Sequence, residues 1–241
     1  MFDLHVGNYL DDTKWSDLWA ECLDKAMPFP PQKVREIHCL VPLPDRSGNL
    51  IIAENGLFFS NQNSLTILHQ FSVAYCFPSY DILSSMLTDM ETFGKYKLPW
   101  VCPYFSLFPL SGLPHSIWIN PLKIEDIYTH EGRHYAKLID GFVLAIPIRR
   151  YYILLRAEMA CGLLASLQQD YFLFSSLGDT PMDYLTLPNT SFSRSLVKRP
   201  LLQLFATRKG EIYRRYQRAR FLHYYDQLVD SPEAIHWENW N

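Results

Sequence analysis

The stretch from residue 102 to 148 constrains the fold most, because several short β-prone runs follow one another there. The clearest signal is a pair of such runs, 134–139 and 142–146, on either side of Asp140-Gly141. Two β-prone runs that flank Asp-Gly strongly indicate a hairpin. Two further apolar runs precede this pair, and prolines close them, since proline cannot donate to a strand ladder. The stretch therefore predicts an antiparallel β-meander of three or four strands.

The elements around this meander are predicted from periodicity and turn residues. Asn55-Gly56 predicts a second hairpin, and residues 64–77 fit either a strand or a helix. Residues 170–200 contain many Pro, Ser and Thr residues, which indicates a long irregular link with room for one short element. Four amphipathic helices are predicted, over residues 11–26 (capped by Asp12 or Thr13), 80–93, 149–169 and 211–229.

The predicted fold class is α+β, with an antiparallel β-meander core flanked by amphipathic helices and a helical C-terminal region. Residues 1–170 are expected to form the mixed α+β core. Residues 171–241 are expected to form a linker, a basic helix and an acidic tail that holds Trp237 and Trp240. Because 48% of the residues are hydrophobic, the chain has enough apolar material for a core, and disorder is not expected.

Several classes of protein are disfavoured by patterns that the sequence lacks. No stretch approaches the ~20 uncharged apolar residues of a membrane-spanning helix. The N-terminal residues lack the basic and apolar regions of a secretion signal, so we expect none. The five cysteines are scattered and contain no Cys-x-x-Cys pair, which fits reduced thiols in the cytoplasm better than disulfides or a zinc site.

Motifs that carry chemistry are also missing. The sequence has no glycine-rich phosphate loop and no zinc-protease motif, and Ser111 lacks the flanking frame of a nucleophile elbow. His130 and His134 have the spacing of metal ligands on a helix, but Glu131-Gly132 between them predicts a turn and no third ligand is near. We therefore predict that the protein is not an enzyme and uses no cofactor and no metal.

The net charge of −3 conceals an uneven distribution of charged residues. Residues 1–120 carry 7 Lys and Arg against 12 Asp and Glu, whereas residues 121–241 carry 15 against 13. Between Arg194 and Arg220, nine basic residues stand against a single acid, Glu211. Such an asymmetry suggests one surface for an anionic partner.

This basic segment, with two arginines at the start of the 149–169 helix, supplies the candidate DNA-binding residues. Lys and Arg at this density neutralise phosphates and release condensed counterions, and arginine enters the narrow minor groove of A·T-rich DNA. The alternative is a solvated helix face whose charges pair with the acidic N-terminal half. The candidate contacts are Arg149, Arg150, Arg194, Lys198, Arg199, Arg208, Lys209, Arg214, Arg215 and Arg218.

The central block, over roughly residues 95–167, resembles the ComK family of competence transcription factors. The order and spacing of several short motifs match that family. The Gly-Arg pair expected upstream is absent, and Asn120-Pro121 stands where the family has a histidine. The matching residues are Lys97-Leu98-Pro99, Leu107-Phe108-Pro109, Pro114, Trp118-Ile119, Glu125-Asp126, Asp140-Gly141 and Arg156-Ala157.

The resemblance implies a transcriptional activator that binds A·T-rich promoter boxes on double-stranded DNA as a homo-oligomer. It also implies control by an adaptor that delivers the activator to a Clp protease. Because no stretch is long and apolar enough to span a membrane, we expect no membrane partner. A second resemblance, to the LytTR DNA-binding domain, rests on residues 124–128, 133–135 and 143–148. An alternative from another class is a protein-interaction module that uses Trp15, Trp19, Trp237 and Trp240 on amphipathic segments.

Overall fold

The computed structural model combines two β-sheets with six α-helices in the part of the chain it describes, so the α+β class and the helical C-terminal region are confirmed. The tail residues Trp237 and Trp240 lie outside that part. No helix among the residues described is long and apolar enough to cross a membrane. The described residues are 9–90, 92–94, 96–113, 115–171 and 177–230.

The helices and strands have the following bounds. The α-helices are α1 (Asp17–Lys25), α2 (Ser64–Tyr75), α3 (Tyr80–Met90), α4 (Arg150–Tyr171), α5 (Ser191–Leu196) and α6 (Glu211–Asp230). The strands are β1 (Met27–Pro28), β2 (Ile37–Pro42), β3 (Asn49–Ala53), β4 (Gly56–Ser60), β5 (Trp100–Val101), β6 (Ser106–Pro109), β7 (Trp118–Ile119), β8 (Ile124–His130), β9 (Arg133–Leu138) and β10 (Val143–Ile146).

The larger sheet has seven strands in the order β1-β4-β3-β2-β7-β6-β5, and all neighbours are antiparallel except β1 and β4. Every residue of β2 and β3 is buried, which fits their composition, since all but His38 and Asn49 are apolar. The predicted hairpin around Asn55-Gly56 is confirmed as β3 and β4, and Gly56 has a positive φ of 135°.

The predicted meander is wrong in one respect, because its strands belong to two different sheets. The Asp140-Gly141 hairpin is confirmed as β9 and β10, which form a three-stranded sheet with β8. However, β6 and β7 join the seven-stranded sheet, since β7 pairs with β2 from the N-terminal half. Asn120 ends β7 by accepting from the Leu122 amide and donating to Glu36, at 2.9 and 3.0 Å, and a 3₁₀ turn over Pro121–Lys123 follows.

One helix begins later than the sequence predicts, and another settles a segment that the sequence left open. Helix α1 begins at Asp17, and not after a cap at Asp12 or Thr13, because Asp11 accepts from the Thr13 amide at 2.9 Å and Leu10 pairs with β10. The ambiguous segment 64–77 is helical as α2, which Asn63 caps by accepting from the Thr66 amide at 3.0 Å.

Helix α4 is the long central element against which the C-terminal part of the chain packs. Twelve of its 22 residues are buried, and it contacts β5, β6, α5 and α6. Two of the buried residues are acids, Glu158 and Asp170, and each is at most 3% exposed. A buried carboxylate needs a partner, and both partners come from the segment that leads to α6.

Candidate nucleic-acid interface

The basic segment runs along α4 from its amino end to its carboxyl end, in the same direction. At the amino end, Arg150 donates to the Ser195 hydroxyl at 3.0 Å. Two turns further along α4, Glu158 accepts from the Arg199 guanidinium at 2.6 Å and from the Leu201 amide at 2.9 Å. These contacts align α5 and the residues after it with the first half of the helix.

The alignment continues to the carboxyl end of α4 through Asp170. Its carboxylate accepts from the amides of Gly210 and Tyr213, the latter at 2.9 Å, and so caps the first turn of α6. Because an α-helix rises 1.5 Å per residue, the contacts at Arg150 and Asp170 are about 30 Å apart. The basic segment therefore extends over about 30 Å along α4.

Seven of the ten candidate residues have no carboxylate partner in the part of the chain that the structure describes. All seven are exposed, including Arg149, which directly precedes α4. Arg194 donates to the Asn189 side chain at 3.1 Å, and Arg214 donates to the Lys209 carbonyl at 3.3 Å. These seven are Arg149, Arg194, Lys198, Arg208, Lys209, Arg214 and Arg218.

The other three candidates, Arg150, Arg199 and Arg215, are bonded to carboxylates. Arg199 contacts Glu158 at 2.6 Å, in a pair whose acid is 4% exposed. Arg215 pairs with Glu211 one turn earlier on α6, at 2.9 Å. Arg150 and Arg199 attach the segment to α4, whereas Arg215 pairs within α6, and all three charges are locally neutralised.

Arg150 belongs to a local network at the amino end of α4. Its guanidinium donates to Asp126 at 3.2 Å and to the Ile127 carbonyl at 2.6 Å. Partial burial raises the pKa of Asp126, but hydrogen bonds from Ser191, the Ile127 amide and Arg150 outweigh it and hold this pKa below its usual value. The network therefore keeps an anion beside Arg150 at neutral pH.

The N-terminus of α6 is occupied by the protein's own acids. The Asp170 carboxylate accepts hydrogen bonds from the amides of Gly210 and Tyr213, and Glu211 accepts one from the Arg208 amide at 3.1 Å. Helix N-termini bind phosphate when their amides are free, and here they are bonded to carboxylates. Phosphate contacts in this region would therefore have to come from side chains, with Lys209 and Arg214 nearest.

An open cleft of about 470 Å³ lies near the amino end of α4. Glu125, Asp126, Asn189, Ser191 and Arg194 line it. Each of the two carboxylates is paired with a further cation, Glu125 with Lys137 at 3.0 Å and Asp126 with Arg150 at 3.2 Å, so they do not make this end of α4 anionic. The exposed cations on and just before α6 have only Glu211 among them.

The histidines and tryptophans singled out from the sequence have local partners. His134 is hydrogen-bonded to Thr129 at 2.8 Å in the β8–β9 hairpin, and no group of three metal ligands exists among the described residues. Trp19 is fully buried and donates to the Asp11 carbonyl at 3.0 Å, while Arg46 lies over the ring of Trp15 at 4.5 Å. Helix α1 is therefore docked on the core and does not present a tryptophan pair.

Sequence reasoning found the basic residues but missed the acids that align them. Glu158 and Asp170 are 12 residues apart on a helix whose other buried positions are apolar or small. A buried acid requires a cation or amide partner, so two acids on the core helix are a usable signal for a segment that packs along it. The ionic partners cannot be identified without the tertiary fold.

Comparisons with protein-family models, with curated proteins and with solved structures find no match for this chain.

Proposed function

We propose that the protein is a transcriptional regulator that binds double-stranded DNA through the cations aligned along α4. The observation that carries this proposal is the spread of seven exposed Lys and Arg residues along the length of α4. Its length of about 30 Å is close to one turn of duplex, roughly 34 Å. Such a line of cations can follow one phosphate backbone rather than contact a single phosphate.

Affinity in this proposal comes mainly from the phosphates. Each cation that contacts a phosphate releases condensed counterions, and the gain does not depend on base sequence. Preference for A·T-rich promoters would come from groove shape, because a narrow minor groove has an enhanced negative potential that attracts arginine. Arg214 and Arg218 are the candidates for that role, since both are exposed and lie one turn apart on α6.

The ComK-like residues fit a scaffold role within this proposal. Leu107, Phe108 and Trp118 are each 0% exposed, so they pack the seven-stranded sheet and cannot contact DNA. Asp126, from the same resemblance, is bonded to Arg150. The competence-type activator remains the regulator class that we propose, with contacts supplied by the C-terminal segment.

The test is a titration of an A·T-rich promoter duplex by fluorescence anisotropy at several salt concentrations. The variant Lys209→Glu/Arg214→Glu/Arg218→Glu reverses three exposed cations and leaves the pairs of Arg199 and Arg215 intact. We expect at least tenfold weaker binding on every sequence tried. The slope of log K against log salt should become shallower by about 0.9 for each lost phosphate contact.

A matched control reverses three exposed lysines at the other end of the chain, Lys14, Lys25 and Lys33. This control changes the net charge by the same amount, so long-range repulsion of DNA is equal in both variants. We expect the control to retain the affinity and the salt slope of the wild type. Equal weakening by both variants would remove the α6 region from the interface, and absence of any salt-dependent binding by the wild type would overturn the proposed function.

A further inference from the structure

Arg156 is a partly buried cation on α4 that no carboxylate neutralises in the described part of the chain. Its Nη1 donates to the carbonyls of Pro109 and Leu110, at 2.9 and 2.7 Å, where β6 ends. Burial lowers the pKa of Arg156, because it disfavours the charged form. The donors on Nε and Nη2 meet no acceptor among the described residues. One nitrogen therefore anchors the guanidinium, and its Nε–Nη2 edge keeps its capacity to donate.

A second cation, Lys97, lies beside this guanidinium. The loop after α3 packs on α4 here, since a Cβ added to Gly94 would lie 3.4 Å from the sulfur of Met159. Arg156 precedes Met159 by about one helical turn. Lys97 has a φ of 55°, a left-handed conformation that non-glycine residues seldom adopt. Partial burial and then the charge of Arg156 lower the pKa of Lys97, so the two cations repel each other.

The chain around the two cations supplies no acid. From Thr92 to Ile124, a range that includes β5, β6 and β7, the sequence contains no Asp and no Glu. The acid of α4 nearest to Arg156 along the chain is Glu158, which lies about 200° around the helix from it. Glu158 is also bonded to Arg199. An anion that contacts both cations would therefore remove a repulsion that no described acid relieves.

The geometry of the guanidinium indicates the chemistry of that anion. The Nε–Nη2 edge presents two parallel N–H donors, whose spacing matches two oxygens of a carboxylate or a phosphate. An ammonium adds a compact point charge that can bind a third oxygen. A phosphate monoester carries about two negative charges at neutral pH, which two cations balance, whereas a carboxylate carries one. The pair therefore fits a phosphate group better than a carboxylate.

We propose that Arg156 and Lys97 form a binding site for a free phosphate group, either inorganic phosphate or the monoester of a small molecule. The Nε–Nη2 edge of Arg156 binds two of its oxygens, and the ammonium of Lys97 binds a third. A duplex backbone is followed by a row of cations, whereas this site has two, on the side of α4 away from Glu158 and Arg199. The inference does not depend on the proposed function, because its main test contains no DNA.

Heteronuclear NMR of the full chain, titrated with inorganic phosphate, tests the site. Sodium chloride keeps the ionic strength constant, so that screening is equal at every point. The Nε–H signal of Arg156 is assigned by its absence in Arg156→Lys. In the wild type we expect this signal to shift and to saturate with a Kd on the order of 1 mM. A signal that does not shift, or that shifts without saturating, overturns the proposal.

Lys97→Met is the sharper variant, because the Lys97 side chain has no hydrogen bond to the described residues and its loss should leave the fold intact. We expect it to bind phosphate about tenfold more weakly, since one charged hydrogen bond is lost. The matched control Lys33→Met removes the same charge from an exposed residue elsewhere and should keep the wild-type affinity. Equal affinity in Lys97→Met and the wild type, or an equal loss in both variants, would contradict the assignment.

Anisotropy with the A·T-rich duplex distinguishes a free phosphate group from a phosphate of a DNA backbone. A site for a free ligand predicts that Lys97→Met binds the duplex as the wild type does. Weaker duplex binding by Lys97→Met, with Lys33→Met unchanged, would put the two cations in the DNA interface and overturn the assignment to a free ligand. A wild type that binds phosphate but no duplex would overturn the proposed function and support this site.

Discussion

The two ends of α4 use the same residue types in opposite ways. At the amino end, Asp126 is bonded to Arg150 at 3.2 Å, so an acid neutralises an arginine. At the carboxyl end, Asp170 is bonded to backbone amides of α6. Arg214 and Arg218 are both exposed, although the charge of Arg214 opposes the rise in the pKa of Asp170. Whether an arginine on this chain is available to a ligand depends on what its neighbouring acid binds, and not on local basic density.

The same comparison extends to the protonation of the two acids. Hydrogen bonds from Ser191, the Ile127 amide and Arg150 overcome partial burial and lower the pKa of Asp126. Burial is the largest influence on Asp170 and raises its pKa, although the amides of Tyr213 and Gly210 oppose that effect. The two carboxylates therefore contribute to stability in different pH ranges.

The largest effect is expected where a paired arginine is removed from its buried acid. Arg199→Met leaves Glu158 buried without its cation, which should lower the free energy of unfolding by about 3 kcal/mol. Lys198→Met changes the preceding exposed residue and should cost less than about 0.5 kcal/mol. Urea denaturation followed by circular dichroism measures both. A loss of similar size in the two variants would show that Arg199 contributes no more than an exposed cation.

A smaller effect is expected from removing the carboxylate that links α4 to α6. Asp170→Ala leaves the amides of Gly210 and Tyr213 without their acceptor, which should cost about 1–2 kcal/mol. Hydrogen exchange should show faster exchange for amides in the first turn of α6 than for those in β3. Unchanged exchange at the start of α6 would mean that the carboxylate is not needed to hold the helix.

The smallest effect is a pair of opposite pH dependences. A lowered folded pKa gives Asp126 a stabilising contribution above its unfolded pKa, and this is lost as pH falls through the folded value. A raised folded pKa gives Asp170 a contribution below its unfolded pKa, and this is lost as pH rises through the folded value. From about pH 6 to pH 3, wild-type stability minus variant stability should fall for Asp126→Asn and rise for Asp170→Asn.

Denaturation curves at several pH values for the wild type and both variants provide this measurement. The two variants serve as controls for each other, because each replaces one carboxylate by an amide of nearly the same size. A pH dependence of the same sign in both would contradict the contrast between the two ends of α4.

The parts of the fold that could be predicted are those encoded by neighbouring residues. The hairpins at Asn55-Gly56 and Asp140-Gly141 need only two strands and the turn between them. The pairing of β7 with β2 joins residues about 80 positions apart, and no local pattern indicates it. The late start of α1 has the same cause, since Leu10 is held by Leu144 of β10.

The candidate interface divides in the same way. Basic density between Arg194 and Arg220 is visible in the sequence, and it led to eight of the ten candidate residues. Which of them are tied to acids depends on Asp126 and Glu158, which are distant in sequence from Arg150 and Arg199. Only the Arg215 pair, at i to i+4 with Glu211, follows from helix geometry alone.

Cys76, the left-handed residue that ends α2, is the one cysteine that thiol reagents can reach. Cys76 is exposed, with a φ of 54°, while the other four cysteines are buried. Burial raises the pKa of Cys22, Cys39 and Cys161, and raises that of Cys102 to about 12, so none of these forms a thiolate readily. A maleimide dye added to the native chain should therefore label one position stoichiometrically, and fluorescence experiments can begin without removing any cysteine.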